Sequence, residues 1–146
     1  MELKIVCDDD KYLPTYANED DACMDLRVRC NKETYISPKS TVVFGTGIKV
    51  SVPKDHVMLI FPRSSTGFKL HCRFANGTGI IDSGYRDEIK MAIHNFGDYS
   101  VNIQDGQRIA QFMIIPRPKI DLIRVNDNAE FRKGNRNGGI GSSGKY

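Results

Sequence analysis

The sequence has no long apolar run. No stretch approaches the roughly 18 residues of a membrane-spanning helix. The opening residues, Met1-Glu2-Leu3-Lys4-Ile5-Val6, lack the apolar centre and cleavage site of a secretion signal. Charge of one sign is missing too: 21 Lys and Arg stand against 18 Asp and Glu, a net of +3. No basic cluster suggests a nucleic-acid groove or an anionic membrane surface, so neither partner is expected, whereas a small anion fits this balance. Cys7, Cys23, Cys30 and Cys72 form no C-x-x-C pair, and Cys23, Cys30, His71 and Cys72 match no common zinc spacing. Without a secretion signal they read as free thiols in a reducing compartment. The expected location is therefore cytoplasmic (or nuclear, or in a virus-infected host cell), and not secreted. The three histidines, His56, His71 and His94, share no site-like spacing. There is no G-x-S-x-G elbow, no H-E-x-x-H and no Walker loop. If the chain hydrolyses phosphate, the nucleophile is then water, the base a carboxylate, and the charge neutraliser a metal.

Helical stripes are also missing; the one candidate is a turn or two after Ser64. Alternation of period two is abundant. Leu26, Val28 and Cys30 alternate with Asp25, Arg27 and Arg29, Ile48, Val50 and Val52 with Lys49 and Ser51, and Val101 and Ile103 with Asn102 and Gln104. Short apolar runs at 42–44, 57–61 and 112–115 suit strands buried on both faces. Turn signals separate them: Ser37-Pro38-Lys39, Pro53-Lys54-Asp55, Gly97-Asp98 and Asp105-Gly106. The pattern predicts a single all-β domain over 1–125, a sandwich, jelly roll or barrel.

From 126 to 146 the apolar signal falls away and Gly, Asn, Ser and basic residues dominate. This tail is either a frayed end or an arm that orders on a ligand, with glycine N–H groups, Ser142, Ser143 and Arg136 as anion donors. Gly139-x-Gly141-x-x-Gly144 formally matches a dinucleotide fingerprint, but no strand precedes it and no helix can follow.

The stretch 76–91 combines a small-residue turn, the β-branched pair Ile80-Ile81, a lone Asp82, a second turn at Ser83-Gly84, the ring of Tyr85, and a strand with Ile89, Met91 and Ile93 on one side. It predicts a β-hairpin, its glycines at bends or close approaches. Such a hairpin is either structural or a backbone-floored groove for a flat heterocycle, with one acid and one ring at its mouth. Four other clusters carry chemistry. Phe61-Pro62-Arg63-Ser64-Ser65-Thr66-Gly67 ends a strand with groups suited to phosphate oxygens. Asp25 starts a strand, and Gln111 interrupts an apolar run, so Gln111 faces a site or needs a partner. The tail is the fourth.

Taken in order, 22–26, 62–67, 76–88, 106–112 and 138–144 resemble the five motifs of the trimeric dUTP pyrophosphatases (dUTPases), a likeness spanning nearly the whole chain. The resemblance implies a distorted jelly-roll or β-clip-like fold, a homotrimer, and three active sites at subunit interfaces. Each would cleave dUTP to dUMP and pyrophosphate with Mg²⁺, lowering dUTP and supplying the dTMP precursor. It implies that Asp82 is the catalytic base for the attacking water and that Tyr85 packs on the deoxyribose, excluding a 2′-OH. Asn76, Gly79, Ile81 and Lys90, around the hairpin, would belong to the uracil subsite. Arg63, Ser64, Ser65 and Gln111 would hold the phosphate chain, and Asp25 would meet metal-bound water. The arm, through Arg136, Ile140, Gly141 and Ser142, would close over a neighbouring site.

Four departures stand out. Cys23 and Asp87 replace the family's usual glycines, and the Cβ at Asp87 is expected to alter the local turn. Ile140 replaces the usual aromatic, and losing a stack over uracil costs about 0.5–1.5 kcal/mol. The arm's basic residue, Arg136, is displaced by one, leaving Arg132 and Lys133 as alternatives. The related dCTP deaminases fit less well: Phe68 stands where their second Arg falls, and Tyr85 where they carry Phe.

Overall fold

The computed structural model describes residues 1–126, so the arm expected over 126–146 lies, from 127 on, outside the described residues. The chain runs through β1 (Lys4–Cys7), a 3₁₀ turn (Asp10–Tyr12), β2 (Met24–Arg27), β3 (Glu33–Ile36), β4 (Thr41–Gly45), β5 (Ile48–Ser51) and β6 (His56–Pro62). After β6 comes the short helix α1 (Ser64–Phe68), on the segment where a helical turn was expected. Then follow β7 (Cys72–Phe74), β8 (Gly79–Asp82), β9 (Lys90–Asn95), β10 (Val101–Gln104) and β11 (Arg108–Pro116).

Every pairing between these strands is antiparallel, in four small sheets: β1-β5, β10-β3, β2-β11-β6-β8 and β4-β9-β7. Their buried faces meet in one core that includes Leu26, Ile36, Phe44, Ile48, Met58, Ile60, Ile93 and Ile103. This is the expected all-β, jelly-roll-like architecture. Strands of three to nine residues cannot each cover the core, so many short sheets share it.

Two expectations need correction. The stretch 76–91 is not a hairpin of paired strands. β8 pairs with β6, whereas β9 pairs with β4 and β7. The chain turns at Ser83-Gly84 and crosses to another sheet, leaving β8 an edge strand. The apolar runs are not buried on both faces either. Met58, Ile60 and Phe112 are buried, but Val57, Leu59, Phe61 and Met113 on the opposite face are only partly covered. On that same face, set by the register with Leu59, Ile80 is 64% exposed.

An ion-pair clamp fastens the N-terminal turn to the loop between β10 and β11. Asp105 accepts from Lys11 Nζ at 2.9 Å, from Tyr12 Oη at 2.9 Å and from the Cys30 N–H at 2.9 Å. Burial works against the Asp105 carboxylate, but the bonds from Cys30, Lys11 and Tyr12 outweigh it and hold the group below its ordinary range. The bond to Asp105 in turn holds Lys11 above the ordinary lysine range.

Candidate functional site

Three of the sequence clusters meet at one end of the four-stranded sheet. Register sets Gln111 across from Asp25 on one side and from Phe61 on the other. One residue past Pro62 the chain leaves β6 and Arg63 N-caps α1, which brings Arg63 and Ser64 beside the same spot. A bulge makes this possible. The β11–β2 register shifts between Arg108 and Ala110, and Ile109 O accepts both Arg63 N–H at 3.1 Å and Thr66 Oγ1 at 2.6 Å. The extra residue in β11 thus docks the helix and aims the neighbouring side chains.

The result is a polar cleft of ≈ 390 Å³ whose lining includes Asn18, Asp21, Asp25, Arg63, Ser64 and Gln111. Asp25 is 5% exposed and would be costly there alone. It has two partners: Arg63 Nε lies 2.8 Å from Oδ1, and Arg108 Nη1 lies 3.1 Å from Oδ2. Arg63 also donates to Arg108 O at 3.4 Å. One carboxylate therefore gathers two guanidinium groups and fixes Arg63 at the wall of a partly open cleft. Gln111 Nε2 donates to Pro62 O at 3.3 Å, the partner its interruption of an apolar run required, and its side chain still lines the cleft. Ser64 is exposed and Ser65 is half-buried in the first turn of α1.

Sequence reasoning did not single out Arg108. An arginine opening a strand looks solvated; only the cross-strand position of Asp25 reveals its partner. It missed Asp21 too, whose carboxylate caps Asn18 N–H at 2.9 Å at the cleft edge. Cys23, in place of a glycine, also lines the cleft. Burial, and then the charges of Asp21 and Asp25, push its thiol above the ordinary range.

The remaining predicted residues lie elsewhere. Asp82, exposed, ends β8 opposite Val57, six residues before Arg63 along the chain. At about 3.3 Å per strand residue, Asp82 and the Arg63 cleft are about 20 Å apart within one chain. Asp82 O accepts the Tyr85 N–H at 3.1 Å, closing the Ser83-Gly84 turn. Arg86 Nη1 donates to Ser83 O and to Tyr85 O, both at 2.7 Å. Tyr85 Oη donates to Glu88 O at 2.8 Å. Asn76 spends its side chain on its own turn, donating to Thr78 O at 3.2 Å beside Gly77 at φ +76°. Gly79 is a close approach, but to the protein's own core: a Cβ there would stand 3.1 Å from Ile60 Cβ. Ile81 packs against the core. Lys90 is exposed in β9 opposite Gly45, in a different sheet from β8. Asp87, where a side chain in place of glycine is expected to alter the local turn, does not take a left-handed backbone. Arg136, Ile140, Gly141 and Ser142, with Arg132 and Lys133, lie outside the described residues.

Among the described residues no group of three His, Cys, Asp or Glu converges on a metal position. Mg²⁺ retains several waters and is commonly held by one or two carboxylates plus substrate phosphates. Asp21 and Asp25 line the cleft, but Arg63 and Arg108 take both Asp25 oxygens and Asn18 binds Asp21, so these carboxylates suit an ion's waters rather than the ion itself.

Three comparisons bear on what such a chain is. A dUTPase family model matches residues 9–144. The deoxyuridine 5′-triphosphate nucleotidohydrolase of Clostridium tetani is 34% identical over 145 residues, covering 99% of this chain and 97% of that one. The enzyme of the same name from Caldanaerobacter subterraneus is 37% identical over 134 residues, covering 90% and 88%. Among solved structures, the Staphylococcus bacteriophage 80alpha dUTPase with dUPNHPP superposes with a TM-score of 0.83 at 26% identity, covering 98% of each chain. The Streptococcus mutans dUTPase superposes with a TM-score of 0.73 at 26% identity, covering 83% of this chain and 99% of that one. With the five motifs, the fold and the family match in agreement, this chain belongs to the dUTPase family.

Proposed function

We propose that this protein is a dUTP diphosphatase. It takes dUTP as its magnesium complex and hydrolyses it to dUMP and pyrophosphate, lowering dUTP and supplying the precursor of dTMP. The observation that carries the reading is the pairing of Asp25 with both Arg63 and Arg108 at a cleft shared with Ser64 and Gln111, a built site for a phosphate chain. Family membership supplies the nucleotide.

The chemistry follows from the residues. β8 is an edge strand and offers unpaired backbone donors and acceptors to the N–H and carbonyls of uracil. A backbone edge excludes a 5-methyl group by shape. Tyr85, its hydroxyl already tied to Glu88 O, presents its ring to the deoxyribose. The Asp82 carboxylate takes a proton from water as the water oxygen bonds to the α-phosphorus. The bond from that phosphorus to the bridging oxygen breaks, and pyrophosphate leaves with the electron pair. Arg63, Ser64 and Gln111, with Arg108 behind them, hold the phosphates and stabilise the charge that develops. Asp21 and Asp25 would face the waters of a magnesium ion carried by the substrate, which would supply further charge neutralisation. A positioned base contributes about 10²–10⁴-fold, so positioning and charge stabilisation supply the rest.

The two halves of this site belong to different copies of the chain. The span of about 20 Å between Asp82 and Arg63 along one sheet supports this, because a single nucleotide cannot reach both in one chain. The outer face of that sheet, with Leu59, Ile80 and Met113, supports association through the surface that carries Asp82 and Gln111. A homotrimer is the assembly implied by the family motifs. The C-terminal arm, through Arg136 or a neighbouring basic residue, Ile140, Gly141 and Ser142, closes over a neighbouring site. Four free cysteines support action in a reducing compartment, the cytoplasm or nucleus of a cell or infected host.

The test is pyrophosphate release from dUTP, dCTP, dTTP and UTP with magnesium. The expected result is release from dUTP far above the other three. Ammonia release from dCTP would contradict the reading.

A further inference from the structure

We infer that Glu88 is a positioning residue for sugar selection, fixing the ring of Tyr85 that separates deoxyribose from ribose; this rests on the functional reading above. The crossing between β8 and β9 has no strand partner of its own; Tyr85 is half-buried against the core, and local bonds fix its ring further. Its hydroxyl donates to the Glu88 carbonyl at 2.8 Å. The Glu88 backbone is itself anchored by its own side chain, whose Oε1 accepts the Gly47 N–H at 2.8 Å.

The seat for that carboxylate is built into the turn between β4 and β5. A Cβ on Gly45 would stand 2.5 Å from Glu88 Oε1, so any larger residue at 45 would displace the carboxylate. Gly47 holds φ +72°, a left-handed conformation that aims its N–H at Glu88. Thr46, buried between them, donates from Oγ1 to Ile89 O at 2.9 Å, and Ile89 N–H donates to Ile48 O at 3.1 Å. The Tyr85 hydroxyl is thus registered on the β4–β5 turn through Glu88, while its backbone N–H stays tied to Asp82 O at the end of β8. Arg86 fixes the other side by donating to Ser83 O and Tyr85 O. Excluding one hydroxyl is a steric task, so it fails when the excluding ring can retreat.

The experiment compares kcat/KM for dUTP and for UTP in the wild type, Glu88→Ala, Glu88→Gln and Tyr85→Phe. Glu88→Ala is expected to lower the dUTP/UTP ratio by about tenfold, the scale of one charge-assisted hydrogen bond, mainly through improved turnover of UTP. Glu88→Gln keeps an acceptor for the Gly47 N–H and retains most of the ratio. Tyr85→Phe keeps the ring but frees it from Glu88 and moves the ratio the same way, which serves as the deciding variant should Glu88→Ala not fold. A ratio unchanged in Tyr85→Phe or in folded Glu88→Ala overturns the inference, as does Glu88→Gln falling as far as Glu88→Ala. Wild-type protein that cleaves dUTP and UTP equally, or neither, overturns the functional reading itself and this inference with it.

Discussion

The two ends of the β2-β11-β6-β8 sheet solve opposite problems. At the Arg63 end one chain completes its half-site with side chains: a buried acid, two arginines and a glutamine, all packed by a bulge and a short helix. At the Asp82 end the chain offers an exposed carboxylate and a half-buried ring on an edge strand and a turn, held by core packing of Ile81 and Tyr85 and by hydrogen bonds to backbone. The first end binds charge and needs its donors gathered against their mutual repulsion, which Asp25 does. The second discriminates shape, and needs an open edge that a base can pair with and a ring that does not move. An edge strand beside an apolar face is also a hazard for uncontrolled pairing unless another copy covers it. On the proposed reading, the same exposure serves recognition and assembly.

That contrast can be broken from either side. The largest effect is expected at the edge-strand end. Asp82→Asn removes the acceptor of the water proton and lowers kcat by about 10²–10⁴-fold. Binding of a non-hydrolysable dUTP analogue, followed by calorimetry, stays near wild type; unchanged kcat would refute the assignment. Next is the apolar face. Ile80 is 64% exposed, so Ile80→Asp leaves the monomer fold intact but weakens association by about 30-fold, an interface hot-spot effect. Sedimentation velocity should show dissociation with activity falling in parallel, and an unaltered assembly would place the interface elsewhere.

Removing the acid that gathers the two arginines should be milder. Asp25→Ala strips Arg63 and Arg108 of their shared partner, both part-exposed, and is expected to cost about 1–3 kcal/mol of stability by urea unfolding. KM for dUTP should rise about tenfold, because the arginines no longer point into the cleft. Smallest is a change remote from both ends. The Asp105 carboxylate sits below its ordinary range, so its stabilisation is present above the ordinary carboxylate pKa and is lost as pH falls through the lowered value. Asp105→Asn should lower Tm near neutrality while flattening the decline of Tm between about pH 5 and pH 2. An equally steep acid decline in the variant would remove Asp105 from the account.

Much of this was legible in the sequence, for reasons that also mark where reading stops. Alternation around Val101 and Ile103 and the apolar run at 57–61 announced strands, because the pleat has a period that residues can display. Gln111 stood out because it interrupts an apolar run, whereas Asp25 and Arg63 were marked by their motifs and not by any break in the pattern around them. Partnership is not periodic. Nothing in Ile80-Ile81-Asp82 says that its neighbour is β6 and not the strand that follows Tyr85. Arg108 and Glu88 went unnoticed for the same reason: each is an ordinary surface residue type until a distant segment, Asp25 or the Gly45–Gly47 turn, meets it.

The claim that most depends on this geometry is that neither end makes an active site without another copy. It is tested by mixing two inactive variants, Asp82→Asn and Arg63→Ala, unfolding them together and refolding them as one assembly. Equal mixing should restore about a quarter of wild-type turnover, since each site then draws its two halves independently from different chains. A mixture no more active than its components would mean that both halves come from one chain, and would contradict the account.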